Sequence, residues 1–206
     1  MKLRGRYRLY ILLFFGFGAN AQRQNINLYF HHFDKYSGIP QSVCNDVFRD
    51  SRGFTWITTI SGLYRFDGLQ FMDALGNNRQ VKSHALKDIA EDRTGDLWVT
   101  KNDDELVHFN PYNGALEIVS LRPFLQPRNV SVQGLNLLHV DGLNRIWIGI
   151  NQSGIACYDI TKRALKIIFL PDMSPAYSLA FFPSPSDQQP VLFRKSQGSN
   201  LLYRGK

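Results

Sequence analysis

Residues 50–57 read Asp-Ser-Arg-Gly-Phe-Thr-Trp-Ile, and this phrase decides the fold because the chain repeats it. The second copy, at residues 92–99, reads Asp-Arg-Thr-Gly-Asp-Leu-Trp-Val, and the third, at residues 141–148, reads Asp-Gly-Leu-Asn-Arg-Ile-Trp-Ile. All three tryptophans of the 206-residue chain lie in these copies, 42 and 49 residues apart. Each tryptophan is followed, after 10 or 11 residues, by an aromatic residue and then Asp or Asn: Phe66-Asp67, Phe109-Asn110 and Tyr158-Asp159. A fixed period of this length indicates a repeat architecture.

Each phrase predicts a tight turn that leads into a strand. The Asp50 carboxylate can accept hydrogen bonds from backbone N–H groups two residues on, and Gly53 supplies the positive φ that such a turn needs. Asn144 replaces this glycine in the third copy, and Asn tolerates the same conformation well. The residues that define the repeat are Asp50, Gly53, Trp56, Asp92, Gly95, Trp98, Asp141, Asn144 and Trp147.

Further strands are predicted on both sides of each turn. Phe54 and Trp56 should share one face of the strand after the turn, with Thr55 and Ile57 on the other face. The other candidate strands are 43–48, 63–66, 69–72, 85–90 and 135–140. About four short strands in about 45 residues predict an all-β fold of the β-propeller type, in which stacked sheets bury the tryptophans between them.

The repeat boundaries predict three clear four-stranded blades and a degenerate fourth. These lie at about residues 38–80, 81–125, 130–170 and 175–206. In the fourth copy Phe193 stands ten residues before Tyr203, which is the spacing from Trp56 to Phe66. We expect an incomplete arc of a larger propeller rather than a ring. Its uncovered sheet faces predict further blades or self-association as partners.

Residues 1–21 have the order of a secretory signal peptide. A basic segment precedes the apolar run 9–18, and a small-x-small site follows at Ala19-Asn20-Ala21, with Gln22 next. Ten apolar residues are too few to span a bilayer, so we expect no membrane span after cleavage. An uncleaved anchor and a buried helix are the alternatives. The prediction is a periplasmic mature chain of residues 22–206.

The net charge of +7 does not indicate a nucleic-acid partner. Four basic residues lie within the first eight positions, and the rest are scattered without a stripe or a cluster. Cys44 and Cys157 lie 113 residues apart in different repeats. Since a disulfide needs Cα atoms within about 7 Å, we expect two free, buried thiols with no catalytic role.

The sequence predicts no catalytic, cofactor-binding or metal-binding residue, and it identifies no ligand-binding residue. His31 and His32 are neighbours on a candidate strand and would point to opposite faces, while His84, His108 and His139 are scattered. The acidic run 103–105 carries oxygen ligands of the type that cations prefer. A solvated loop is the favoured interpretation of that run.

Residues 33–71 resemble the first repeat of the two-component-regulator propeller family, which forms periplasmic sensor regions of hybrid two-component system proteins of Bacteroidetes. The matching elements are Gly38-Ile39-Pro40, the Asp50–Trp56 phrase, Gly62-Leu63 and Phe66-Asp67-Gly68. The resemblance covers about residues 28–170. It implies a non-catalytic ligand-sensing module, with oligosaccharides as the ligand class and loops on one propeller face or an interdomain cleft as the site. Family members also carry a membrane helix and a histidine kinase, which this chain lacks, so we expect a truncated part of a longer sensor or a small relative.

Two alternatives belong to other functional classes. Propeller glycosidases and polysaccharide lyases also combine Asp, Gly and Trp. The sialidase turn has one residue between Asp and Gly, whereas two residues separate Asp50 from Gly53. No motif here fixes the arginine cluster and the tyrosine nucleophile that a sialidase needs. A structural interaction propeller is the other alternative, and oligosaccharides would not shift its melting temperature.

Overall fold

The computed structural model describes residues 33, 38–39, 43–76, 78, 81, 85–102, 104–125, 135–150 and 154–168. For residues 136–138 and 168, and for three strands between residues 178 and 204, it describes the backbone only. The predicted export signal and its cleavage residues Ala19, Ala21 and Gln22 lie outside the described residues, as do His31, His32 and His84. All described residues belong to one compact unit, Phe33–Lys206.

The described strands form four antiparallel sheets in chain order. The first sheet contains β1 (Cys44–Arg49), β2 (Thr55–Thr59), β3 (Gly62–Phe66) and β4 (Phe71–Asp73). The second contains β5 (Leu86–Glu91), β6 (Leu97–Lys101), β7 (Glu105–Phe109) and β8 (Leu116–Ser120). The third contains β9 (Leu135–Val140), β10 (Arg145–Ile150), β11 (Gly154–Asp159) and β12 (Ala164–Ile168). The fourth contains β13 (Ser178–Phe182), β14 (Val191–Ser196) and β15 (Ser199–Arg204).

This architecture confirms the predicted all-β propeller fold with three four-stranded blades. The strand bounds differ from the sequence prediction by only one or two residues. In the fourth sheet, Tyr203 pairs with the residue directly before Phe193, as Phe66 pairs in the first sheet with the residue directly before Trp56. The strand register therefore gives Phe193 the position that tryptophan holds in the other sheets. A short helix, α1 (Arg122–Leu125), follows β8.

The first three sheets pack face to face, and the first two each turn their tryptophan toward the next sheet. Trp56 and Leu63 of the first sheet lie in one buried cluster with second-sheet residues such as Ile89 and Val99. Trp98 and Leu106 of the second sheet lie in another cluster with third-sheet residues that include Leu135, Ile146 and Tyr158. β1 packs against β5 and β5 against β9, so the first strands are the inner strands of the stack. The tryptophans are buried as predicted.

The two cysteines have different environments, so one prediction was wrong. Cys157 is buried, and burial raises the pKa of its thiol to about 11. Cys44, which we expected to be buried, is exposed. The reason is its position at the start of β1: the corresponding residues, Leu86 and Leu135, are fully buried because another sheet precedes theirs. Within the described residues, no helix has the length and apolar character needed to cross a membrane.

Candidate functional site

The Asp50 carboxylate organises the turn between β1 and β2 with both of its oxygens. Oδ1 accepts hydrogen bonds from the backbone N–H groups of Arg52 (3.0 Å) and Phe54 (2.9 Å). Oδ2 accepts one from the indole Nε1 of Trp56 at 2.9 Å. Gly53 has a φ of +93°, as the turn prediction required. The carboxylate therefore joins the turn to the tryptophan that fills the interface between sheets.

The same arrangement occurs in the second and third copies. Trp98 donates to Asp92 at 2.9 Å, and Trp147 donates to Asp141 at 2.8 Å. Asn144 adopts a φ of 60° where the other copies have glycine. The nine residues that define the repeat thus occupy equivalent turn and strand positions in the three copies.

Hydrogen bonds keep these three carboxylates ionised although they are buried. Burial alone would raise the pKa of Asp50, but the hydrogen bonds from the Trp56 indole and the Phe54 N–H outweigh it and lower the pKa. For Asp92, burial is again opposed, here mainly by hydrogen bonds from Thr94 and Trp98, and its pKa is lowered. The pKa of Asp141 is lowered despite burial, mainly by hydrogen bonds from Arg145 and Trp147. At this end of the sheets, the three carboxylates therefore serve to hold the turns and the tryptophans in place.

Polar contacts between sheets extend this bonding at the same end. Glu91 of the second sheet accepts two hydrogen bonds of 2.7 Å from the backbone N–H and the hydroxyl of Ser51 in the first. One sheet further on, Arg93 donates its backbone N–H to Asn144 Oδ1 at 3.0 Å. Ser51 and Arg93, directly after the first two turn aspartates, therefore join one sheet to the next. The sequence did not reveal these links, because they join residues 40 to 51 positions apart.

Asp92, Asp96 and His108 approach one another closely enough to be considered as a metal-binding group. Their atoms are already hydrogen-bonded within the sheet. His108 Nε2 lies 2.9 Å from Asp96 Oδ2, while Asn110 donates to the other Asp96 oxygen at 2.7 Å. The His108 ring also stacks on Trp98, with centroids 4.3 Å apart. We therefore interpret this group as part of the bonding that positions the Trp98 indole.

The opposite end of the sheets, which carries the β2–β3 and β6–β7 turns, is here called the turn face. In the first sheet Thr59 Oγ1 accepts hydrogen bonds of 3.0 Å from the backbone N–H groups of Ser61 and Gly62. Ser61 Oγ lies 3.3 Å from the Tyr64 hydroxyl. The side chain of Ile60 is half exposed at the tip of the turn. This turn places hydroxyl groups beside an accessible apolar side chain.

The second sheet departs from the repeat at the turn face. Lys101 pairs across the strands with Glu105, where the first sheet pairs Thr59 with Gly62 and the third pairs Ile150 with Gly154. Lys101 is buried and its ammonium forms an ion pair with Glu105. Asp104, in the same turn, has a φ of 58°, a conformation that residues other than glycine rarely adopt. Of the run 103–105 that was expected to be a solvated loop, the two described residues are only partly exposed.

The chain matches no protein-family model and no curated protein. Its fold is similar to that of several solved structures. One is the extracellular domain of a protein described as a hybrid two-component system of B. thetaiotaomicron, with 17% identity and a TM-score of 0.59. Another, described as the extracellular domain of a one-component system of the same organism, has 16% identity and a TM-score of 0.60. Each likeness covers 84% of this chain.

A third similar structure is virginiamycin B lyase from Staphylococcus aureus. It has 14% identity and a TM-score of 0.60, with 81% of this chain and 57% of the lyase covered. This chain spans only 24% and 23% of the two extracellular domains that it matches. At these identities the likeness is one of fold, and the fold is the β-propeller that the repeats predicted.

Proposed function

We propose that this chain is an exported, non-catalytic propeller module that binds oligosaccharides and serves as a sensor region. The support from comparison is the fold likeness to two extracellular domains of B. thetaiotaomicron signalling proteins. The motif resemblance of residues 33–71 points to the same class of protein. The lyase likeness makes catalysis the competing function, so glycan turnover has to be measured together with binding.

The observation that carries the proposal is the difference between the two ends of the sheets. At one end the buried carboxylates Asp50, Asp92 and Asp141 are committed to holding tryptophans. At the turn face the copies differ from one another, and the second sheet has the buried Lys101–Glu105 pair. Hydroxyl groups beside the exposed Ile60 in one turn, together with a carboxylate–ammonium pair in the corresponding turn of the second sheet, suit the alternating polar and apolar surfaces of a sugar. Binding residues are commonly carried by loops on a rigid scaffold of this kind.

The test is a binding screen with purified chain and a panel of glycan-derived oligosaccharides. A ligand present at 100 times its Kd should stabilise the fold by about 2.7 kcal/mol, which is visible as a rise in Tm. Calorimetry then gives the affinity, and chromatography of the incubated glycan checks for turnover. No Tm shift with any oligosaccharide would remove the proposal, and cleavage of the glycan would replace it with an enzyme.

A matched pair of variants tests whether binding takes place on the turn face. Ile60→Arg changes an exposed side chain in the β2–β3 turn, and Leu69→Arg makes the same change in the β3–β4 turn at the opposite end of the same sheet. We expect Ile60→Arg to weaken binding and Leu69→Arg to leave it unchanged. Equal effects of the two changes, or none, would contradict this location.

A further inference from the structure

One face of the first sheet carries apolar residues at positions that are buried between blades elsewhere in the chain. Among the described residues, no sheet packs against this face. Val47 on β1 pairs with Ile57 in the same way that Ile89 on β5 pairs with Val99. The two residues therefore occupy one position in successive repeats. Val47 is 58% exposed, whereas Ile89 is 4% exposed. The difference has a simple cause: the first sheet covers Ile89, and no described sheet covers Val47.

The position at the start of the first strand shows the same contrast. Cys44 is exposed, while its counterparts Leu86 and Leu135 are fully buried. Val43, directly before Cys44, is 63% exposed. Val43, Cys44 and Val47 are thus exposed in the first sheet, whereas the described counterparts of Cys44 and Val47 in later sheets are buried. The equivalent residues of the second sheet, Leu86 and Ile89, are covered by the face of the first sheet that carries Trp56. The same kind of face would therefore fit against Cys44 and Val47.

In the part of the chain that the structure describes, the fourth sheet, at the other end of the stack, has an uncovered face of the complementary kind. The first strands pack in the order β1, β5, β9 and β13, and no comparable packing joins β13 to β1 in the described strands. The far face of the fourth sheet is therefore the one that a further sheet would cover. The pairing of its second and third strands places Phe193 at the position of tryptophan in the other sheets. One chain thus carries both halves of a blade-to-blade contact at opposite ends.

We propose that the Val43–Val47 face of β1 is the docking surface for the fourth sheet of a second copy of this chain. Two copies arranged head to tail satisfy both open faces at once. The four described sheets of each copy give eight, which lies within the four to eight blades of known propellers. A contact between different surfaces closes into a ring when its rotation permits, and a ring leaves no unpaired face. This assembly is independent of any ligand.

The mass of the purified chain in solution tests the assembly. Light scattering across a concentration series should give twice the chain mass, with dissociation on dilution. Val47→Asp places a charge in the interface and should raise the Kd of the dimer by about tenfold or more. Leu69→Asp, the same chemical change at an exposed position on the β3–β4 turn, is the matched control and should leave the dimer intact.

The native thiol of Cys44 gives a second readout that does not depend on a variant's folding. A maleimide should label Cys44 at least about tenfold more slowly in the dimer than in the diluted monomer. Cys157 is buried and should stay unlabelled in both states. A monomer at every concentration, a dimer that Val47→Asp leaves intact, or an open-ended series of oligomers would each overturn the proposal.

Discussion

The indole Nε1 of Trp98 donates a 2.9 Å hydrogen bond to Oδ2 of Asp92, six residues earlier, and both groups are buried. Oδ1 of the same carboxylate accepts from the backbone N–H groups of Thr94 and Asp96, so one side chain holds the turn and the tryptophan together. In each repeat, one aspartate carboxylate therefore links the turn to the tryptophan on the strand that follows it. Its loss should affect the interface between sheets as well as the turn.

Removing the Asp92 carboxylate should be strongly destabilising. Asp92→Ala leaves the buried Trp98 indole N–H without an acceptor and removes the acceptor of two turn N–H groups, and we expect a cost of about 2–4 kcal/mol. Asp92→Asn keeps one amide oxygen for the turn but can present its NH₂ to the indole, so its cost should be smaller. Urea unfolding followed by tryptophan fluorescence measures both. Equal stability of wild type and Asp92→Ala would contradict the role of this carboxylate.

Stability should fall when the protein is acidified, because the pKa values of Asp50, Asp92 and Asp141 are lowered in the folded state. In the unfolded chain an aspartate titrates near pH 3.9. The stabilising contribution is therefore fully present above that pH and is lost as the pH falls through the lower folded values. A Tm series from pH 7 to pH 2 should show the decline below about pH 4. Asp92→Asn should show a shallower decline, and an identical slope in this variant would contradict the linkage.

The size of the Trp98 side chain and its N–H group should contribute separately to stability. Trp98→Ala opens a cavity in the cluster it shares with Leu135 and Ile146, which costs about 3–5 kcal/mol. Trp98→Phe retains a ring but leaves Asp92 Oδ2 without its indole donor, and should cost less than the alanine change. Leu143→Ala, at an exposed site in the third turn, is a control that should be nearly neutral. Chemical denaturation of the three variants gives the comparison.

The sequence predicted those parts of the structure that depend on residues close together in the chain. Asp50, Gly53 and Trp56 are spaced so that turn, φ and strand face are set locally, and each of these features is present in the structure. The Ser51–Glu91 link was missed, because nothing in one repeat indicates which residue of the next repeat lies beside it. Cys44 was assigned to the interior for a related reason. Burial of an inner strand depends on whether another sheet precedes it, and that is a property of the whole stack.

The ion pair at the turn face also escaped prediction for a physical reason. Lys101 and Glu105 are four residues apart, and only the strand pairing of β6 with β7 places them directly across from each other. The alignment of repeats could have given the signal, since Thr59 and Ile150 are uncharged at the position of Lys101. When only one repeat has a charged residue at the end of a given strand, as the second repeat has Lys101, the adjacent turn is a candidate for a specialised role.

Gly38 lies against the backbone of β4 and should not tolerate a side chain. Its φ is +94°, and a Cβ added there would stand 2.6 Å from the Phe71 carbonyl oxygen, a backbone atom that cannot move away alone. Gly68 has a similar φ of +103°, but a Cβ there would meet nothing within 4 Å. Gly68→Ala therefore measures the conformational cost by itself, about 1–2 kcal/mol. Gly38→Ala should cost clearly more, since it adds a steric clash to the same backbone strain.

The two glycine variants are compared by urea unfolding under identical conditions. A larger loss of unfolding free energy for Gly38→Ala than for Gly68→Ala would locate the additional cost in the contact with Phe71. Because Gly38 belongs to the Gly-Ile-Pro element of the first repeat, that result would also explain why glycine stands at this position: the chain must pass so close to β4 that no side chain fits. Equal losses would mean that the chain before β1 readjusts without cost and that only the positive φ requires glycine.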